Sequence, residues 1–324
     1  MNNFSQSLIC EVFIIATELD QERRKLEDVN HPQHVAAVEG LSDYLTIMNL
    51  LYKSISRILE GDCSLTTLQY RMLLRLLSTP RQTMRSTDLA ANLRVGVSTV
   101  SAAVPHLVDE GLVTRAEDPD DMRVVSLALT AKGASSIERA DYHVGQFLQN
   151  YWKNLTPEQL EAAFASSTNA VTIHDAQRIE NGKFRLDTAF FDTIMISRTL
   201  TAQRLRELGL KTSELRVLLA LYLLGPNVTA SRVADYLFLK SSDITAPMKT
   251  LESQGLISKE RSTENRRTKV LQLTPKGRDR TEGLLLPTHD ALLETCRSDE
   301  EAVRIHLSAA QGIVTRERSM RLFG

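Results

Sequence analysis

The sequence predicts a mainly α-helical fold with small β-hairpins, written twice in one chain. Three observations predict it. First, residues 65–133 and 210–277 repeat one pattern. A single offset, with a one-residue slip near Pro80, aligns Arg71 with Arg216, Ala90 with Ala234 and Leu107 with Leu251. Second, within each copy the apolar period changes from helical to alternating. Third, each change of period is announced by the same exit, Gly111-Leu112-Val113 and Gly255-Leu256-Ile257. A unit this long exceeds the roughly 20–50 residues of a solenoid repeat, so it is a duplicated domain. The length of 324 residues fits two domains.

The elements of the first copy follow in order. Leu41, Leu45, Met48, Leu51, Ile55 and Ile58 share one face of a helix over Leu41–Leu59, which Gly61 is expected to stop. Thr66 and Gln69 form a capping box for a helix carrying Met72, Leu73, Leu76 and Leu77, ended by Pro80. Ser86 or Thr87 caps a short helix, and Gly96 makes the turn. A second helix runs from about Val97 to Glu110 with Val100, Val104 and Leu107 inward. Val113 and the alternating Val125, Leu127 and Leu129 then form strand–turn–strand around a polar tip with an Asp-Pro turn. Long helical stretches follow. The second copy repeats the order over Phe184–Leu208, Thr212–Leu224, Ser231–Leu239, Ser242–Gln254 and a hairpin at Ile257–Leu273. A short helix, a tight turn, a second helix and a hairpin make a helix-turn-helix with a wing.

Composition narrows the function. The net charge of −1 recruits neither nucleic acid nor membrane in bulk, so any basic surface is local. No apolar run approaches a membrane span, and the longest early one is split by Glu11. No signal peptide is read at the N-terminus, and Cys10, Cys63 and Cys296 are too few and scattered for a disulfide framework or zinc site. A cytoplasmic protein is expected. No phosphate loop, nucleophile elbow or paired-carboxylate motif is present, and Pro32 separates His31 from His34 on any shared helical face. Neither catalysis, cofactor nor metal is expected.

Several motifs resemble the multiple-antibiotic-resistance regulator (MarR) family of winged-helix transcription factors. They are Ser98-Thr99-Val100-Ser101, Asp109-Glu110-Gly111-Leu112-Val113-Thr114-Arg115, the wing Asp118-Pro119-Asp120-Asp121-Met122-Arg123, and Leu129-Thr130-Ala131-Lys132-Gly133. The second copy carries Ser242-Asp243-Ile244-Thr245, Gln254-Gly255-Leu256-Ile257, Asn265-Arg266-Arg267 and Leu273-Thr274-Pro275-Lys276-Gly277. The family resemblance implies a homodimer-like arrangement with interlocked terminal helices, here written into one polypeptide. The expected layout is an extra N-terminal helix over 1–34, a first winged domain over 35–180 and a second over 181–324. These domains would pack as an intramolecular pseudo-dimer through long helices, joined at Arg178–Lys183.

In such a module the second helix enters the major groove, where base edges are readable. Its outward face presents Ser98, Thr99, Ala102 and His106 in copy one, and Ser242, Asp243, Ala246 and Lys249 in copy two. This is a lean set with no arginine. Asp243 reads either as a cytosine acceptor or, preferably, as a helix cap. Pro105 lies deep enough to predict a bent or shortened helix in copy one.

The wings differ more. Val113–Ser136 holds three basic residues, including Arg115 and Arg123, against four acidic ones. Ile257–Arg280 holds eight basic residues, among them Lys259, Arg261, Arg266, Arg267 and Lys269, against three acidic ones. Copy two is therefore expected to anchor double-stranded DNA more firmly. The resemblance places Arg123 and Arg267 at the minor groove, steadied by Asp121 in copy one and only by Asn265 in copy two. Divergent halves predict an asymmetric operator. Two alternatives stay open: a protein-interaction scaffold, and a regulator in which only copy two binds DNA.

The resemblance also implies a small-molecule effector. Candidate pocket residues are Tyr44, Met48, Tyr52 and Tyr70, with Phe190, Phe191, Met195 and Tyr222; the competing reading is plain core. A redox role for Cys10 or Cys63 would require a lowered thiol pKa.

Overall fold

The computed structural model describes residues 32–79, 81–117, 125–153, 156–158, 160–161, 186–261, 268–296 and 298–323. Residues 1–31 of the expected N-terminal helix, the joint at Arg178–Lys183, and Arg123, Arg266 and Arg267 lie outside them, while residues 32–34 open the first described helix, so the expected boundary at 34 does not separate two helices. The chain forms two compact units. One takes the described residues within Ile47–Thr201 and Ala291–Glu317, the other those within Met1–Thr46, Ala202–Asp290 and Arg318–Gly324. Each unit thus holds one complete copy of the repeat together with helical segments from the other half of the sequence.

The first half contributes α1 (Pro32–Asp62), α2 (Thr67–Ser78), β1 (Thr83–Arg85), α3 (Ser86–Leu93), α4 (Val97–Asp109), β2 (Val113–Glu117), β3 (Val125–Leu129) and α5 (Ala131–Trp152). The second contributes α6 (Leu186–Glu207), α7 (Thr212–Leu224), β4 (Val228–Thr229), α8 (Ala230–Tyr236), α9 (Ser241–Ser253), β5 (Ile257–Arg261), β6 (Lys269–Leu273), α10 (Pro275–Thr295) and α11 (Glu300–Phe323). Each hairpin carries a third antiparallel strand that the sequence pattern did not reveal, giving sheet orders β1-β3-β2 and β4-β6-β5. β1 and β4 were hidden because they are three and two residues long, too short to show a period.

Local chemistry explains most boundaries. The capping box at α2 is complete: Gln69 N donates to Thr66 Oγ1 at 3.2 Å and Thr66 N donates to Gln69 Oε1 at 2.8 Å. Gly61 does not stop α1. The helix continues through Asp62, and the left-handed residue is Ser64, φ 54°, with Leu65 N closing on the Leu59 carbonyl at 3.0 Å. Gly209, φ 73°, does the same in copy two. Neither Ser86 nor Thr87 caps α3, which starts at Ser86 from an Arg85 without a capping hydrogen bond. In copy two Thr229 caps α8 by accepting from Arg232 N at 3.2 Å. The turn before α4 has its left-handed residue at Arg94 rather than Gly96. Nor does Pro105 shorten α4, which has 13 residues like α9.

The Thr-x-Lys-Gly sequence after each hairpin locks the wing to its recognition helix. Thr130 Oγ1 donates to the Gly111 carbonyl at 2.8 Å and accepts from Gly133 N at 2.9 Å. Thr274 repeats this with the Gly255 carbonyl at 2.8 Å and Gly277 N at 3.0 Å. Lys132 Nζ and Lys276 Nζ donate to the carbonyls of Glu110 and Gln254, at 2.5 and 2.9 Å. These carbonyls end α4 and α9, where a cation also suits the helix dipole.

The two copies solve one core position differently. Tyr70, fully buried on α2, donates its hydroxyl to the buried Asp141 carboxylate on α5. In copy two the matching residues are Leu215 and Leu285, both buried. A buried acceptor that loses its donor destabilises by about 1–3 kcal/mol, whereas removing both partners is nearly neutral. Tyr70→Phe is therefore expected to lower the urea midpoint, and Tyr70→Leu with Asp141→Leu to recover most of it. A double variant as unstable as the single one would refute this account.

Candidate nucleic-acid interface

α4 buries Val100, Val104 and Leu107, and α9 buries Ile244, Met248 and Leu251. These three-and-four spacings turn the opposite faces outward. Ser98, Thr99, Ala102 and His106 are exposed on α4; Ser242, Asp243, Ala246 and Lys249 are exposed on α9. The Thr245 hydroxyl is occupied, donating to the Ser241 carbonyl at 2.9 Å. Asp243 is not the cap of α9. The capping position falls on Lys240, and Asp243 lies in the first turn, where its charge complements the helix N-terminus.

The wing of copy two concentrates charge. Lys259 and Arg261 lie two apart on β5, hence on one face, and Arg261 pairs directly across the ladder with Lys269 of β6. All three are exposed. Like charges directly opposite are unfavourable in a sheet, and a polyanion against this face relieves the repulsion. The second register carries no such load: Glu260 accepts from Gln272 Nε2 at 3.0 Å. In copy one the corresponding positions are Arg115, Glu117 and Val125, with Arg115 exposed on β2 and Glu117 paired to Val125. By sequence, one cation, one acid and one apolar residue stand at the positions where copy two has three cations.

The effector candidates separate by surroundings. Tyr44, Met48, Tyr70 and Phe191 are buried, with the Tyr70 and Phe191 rings tilted at 6.1 Å. Tyr52 supports the Arg198 guanidinium 4.1 Å from its ring centroid. Met195 is half-buried, and the side chain of Phe190 lies outside the described residues. Tyr222 donates to Glu282 at 3.0 Å beneath the Arg278 guanidinium. Cys63 is buried, and that burial pushes its thiol upward despite the Arg139 guanidinium, the opposite of a sensor thiol. Among the described residues no cluster of three metal-ligating side chains exists.

Sequence reading missed one polar assembly in the unit of copy two. Arg318 Nη2 on α11 donates to Asp43 Oδ1 on α1 at 2.7 Å, and its guanidinium lies 4.0 Å over the ring of Tyr236, the last residue of α8. Burial lifts the Asp43 carboxyl to about 6, with Arg318 pulling the other way. The assembly ties two distant helices to the helix that precedes α9. Asp43 and Arg318 are 275 residues apart, so no local pattern signals the assembly.

A helix pair followed by a hairpin, with a short strand ahead of the pair completing the sheet, defines both copies as winged helix-turn-helix modules. A MarR family model matches residues 65–125, and a second MarR family model matches residues 208–268. Each copy of the repeat thus matches a MarR family model, which makes this a tandem MarR-domain chain. Similar solved structures include Sco3205, a MarR family transcriptional regulator from Streptomyces coelicolor in complex with DNA, at 29% identity over 42% of this chain and 80% of that one, TM-score 0.32. Apo MarR from E. coli is 26% identical over 36% of this chain and 87% of that one, TM-score 0.32. BpsR of Bordetella bronchiseptica, whose DNA binding is regulated by 6-hydroxynicotinic acid, is 17% identical over 34% and 79%, TM-score 0.32. No curated protein matches the chain. Among the described residues no helix is long and apolar enough to cross a membrane.

Proposed function

We propose that this protein is an effector-responsive repressor that acts as a single-chain pseudo-dimer on an asymmetric operator in the cytoplasm, without enzymatic activity. The observation that carries the asymmetry is the exposed cluster of Lys259, Arg261 and Lys269 on the wing of copy two, where the sequence of copy one has Arg115, Glu117 and Val125. Phosphate neutralisation supplies most sequence-independent affinity, so the second half-site is held more tightly. The pseudo-dimer reading is supported by the make-up of each unit, which includes helical segments from both sequence halves. A homodimer must read a palindrome; two divergent modules are released from that symmetry. A small-molecule effector acts by favouring a spacing of the winged helices that misfits the groove.

Footprinting on DNA upstream of the coding region tests the asymmetry, with Arg123→Ala and Arg267→Ala made separately. The expected result is unequal protection of two half-sites about one helical turn apart, with the Arg267 variant losing more affinity. A perfect palindrome protected equally on both arms would overturn it. If Arg123→Ala has no effect, copy one has become structural.

A further inference from the structure

The duplication exposes a crevice in copy one whose counterpart in copy two is occupied by protein. In copy two Arg280, on the second turn of α10, donates its guanidinium to the Leu208 carbonyl just before the left-handed Gly209. The matching residues of copy one are Ser136, Cys63 and Ser64. With serine in place of arginine, a crevice of about 300 Å³ opens there, faced by Cys63, Ser64, Lys132, Ser135, Ser136 and Arg139. Its volume is at the lower end of the roughly 300–1,000 Å³ typical of small-molecule sites.

Beside Glu110 and Leu112, the groups lining this space are ones able to donate. Arg139 offers a planar guanidinium with several N–H groups, and the three serine hydroxyls rotate to donate. Arg139 also reaches the Cys63 thiol, which burial holds in its neutral form, so the thiol is a weak donor and not a nucleophile. The acids nearby are Glu110 in the lining and Asp62 beside the thiol. Lys132 spends its ammonium on the Glu110 carbonyl. Such a donor-rich surface suits an acceptor-rich ligand, and a guanidinium matches the planar fork of a carboxylate or phosphate.

We propose that this crevice binds a small oxyanion, the phosphate or carboxylate group of a metabolite, held by Arg139 and the hydroxyls of Ser64, Ser135 and Ser136. The site touches the end of α4, the residue before β2 and the first turns of α5. Its occupancy does not depend on whether either wing engages DNA.

Thermal unfolding of the full chain tests it, in inorganic phosphate or succinate against chloride at matched ionic strength. Binding is expected to raise the midpoint by about 2 °C with at least one oxyanion. Ser136→Arg, which copies the arginine of the second module into the crevice, and Arg139→Gln, at an exposed position, should each abolish the shift. General stabilisation by excluded salts would act on all three proteins alike. A response to phosphate alone identifies a phosphate-bearing ligand, and one to succinate alone a carboxylate. No shift with either anion, or an undiminished shift in either variant, overturns the proposal.

Discussion

Replacing Lys259, Arg261 and Lys269 together with alanine is expected to lower affinity for duplex DNA about 100-fold at low salt. The same triple variant should flatten the salt dependence, with a slope shallower by roughly 3 in log–log terms. The reasoning is electrostatic and positional. Lys259 and Arg261 share one face of β5, and Lys269 stands directly opposite Arg261, so the three cations form one exposed cluster. Each phosphate they neutralise releases condensed counterion, and that release vanishes with the side chain. Fluorescence anisotropy at several salt concentrations measures both quantities. Arg115→Ala, at the matching face of copy one, should change them far less. A triple variant with an unchanged slope would remove the second wing from the interface and favour the scaffold reading.

Gly277→Ala is expected to be the most disruptive single-methyl change in the second module. A Cβ at Gly277 would sit 1.8 Å from the Leu256 carbonyl oxygen and 2.8 Å from its carbon. Both are backbone atoms, held by the Thr274 hydroxyl, which donates to the Leu256 carbonyl at 3.2 Å as well. α10 must back away from the exit of α9, or the exit itself must shift. Overpacking of this kind destabilises by about 3 kcal/mol. In a module of this size that corresponds to a fall in midpoint of roughly 6–12 °C. Gly133→Ala meets the Leu112 carbonyl at 2.1 Å and the Leu129 side chain at 2.8 Å, so the first module should respond alike. Gly283→Ala is the control: on the same helix, with nothing within 4 Å of the new methyl, it should be neutral or slightly stabilising. Equal effects at Gly277 and Gly283 would contradict the close approach.

The lean recognition helices shape what DNA binding requires of this chain. With no arginine on the outward faces of α4 or α9, the proposed function leaves direct readout to short hydroxyl, histidine and lysine side chains. Affinity then depends more on the wings, and wing placement on the threonine, lysine and glycine that join each hairpin to its recognition helix. The assembly of Asp43, Arg318 and Tyr236 gives copy two a further tie, from α1 and α11 to the helix behind α9.

What the residues announced on their own was local and repeated. Helical spacing identified α2, α4, α7 and α9, alternation identified β2, β3, β5 and β6, and the Thr66–Gln69 capping box marked its helix before any fold existed. These signals are legible because they arise between neighbours in the chain, within one turn or one pleat. Duplication doubled the evidence for each. Where the local cue was ambiguous it misled: Gly61 and Gly96 were natural breakers, yet Ser64 and Arg94 took the left-handed conformations. Glycine permits a turn but does not impose one, so its presence does not say where the chain reverses.

How the pieces close depends on long-range packing. It recruited β1 and β4 as third strands, because a strand of two or three residues gains its identity from the partner it pairs with. It placed Tyr70 on Asp141 and Arg318 on Asp43, pairs whose partners are far apart in sequence. It turned the invariance of glycine between the copies into a reason, a carbonyl too close for any Cβ. Two winged modules with unequal charge are legible from the residues alone; which of those charges share a face depends on the fold, since side-chain proximity is a property of register and packing, not of spacing along the chain.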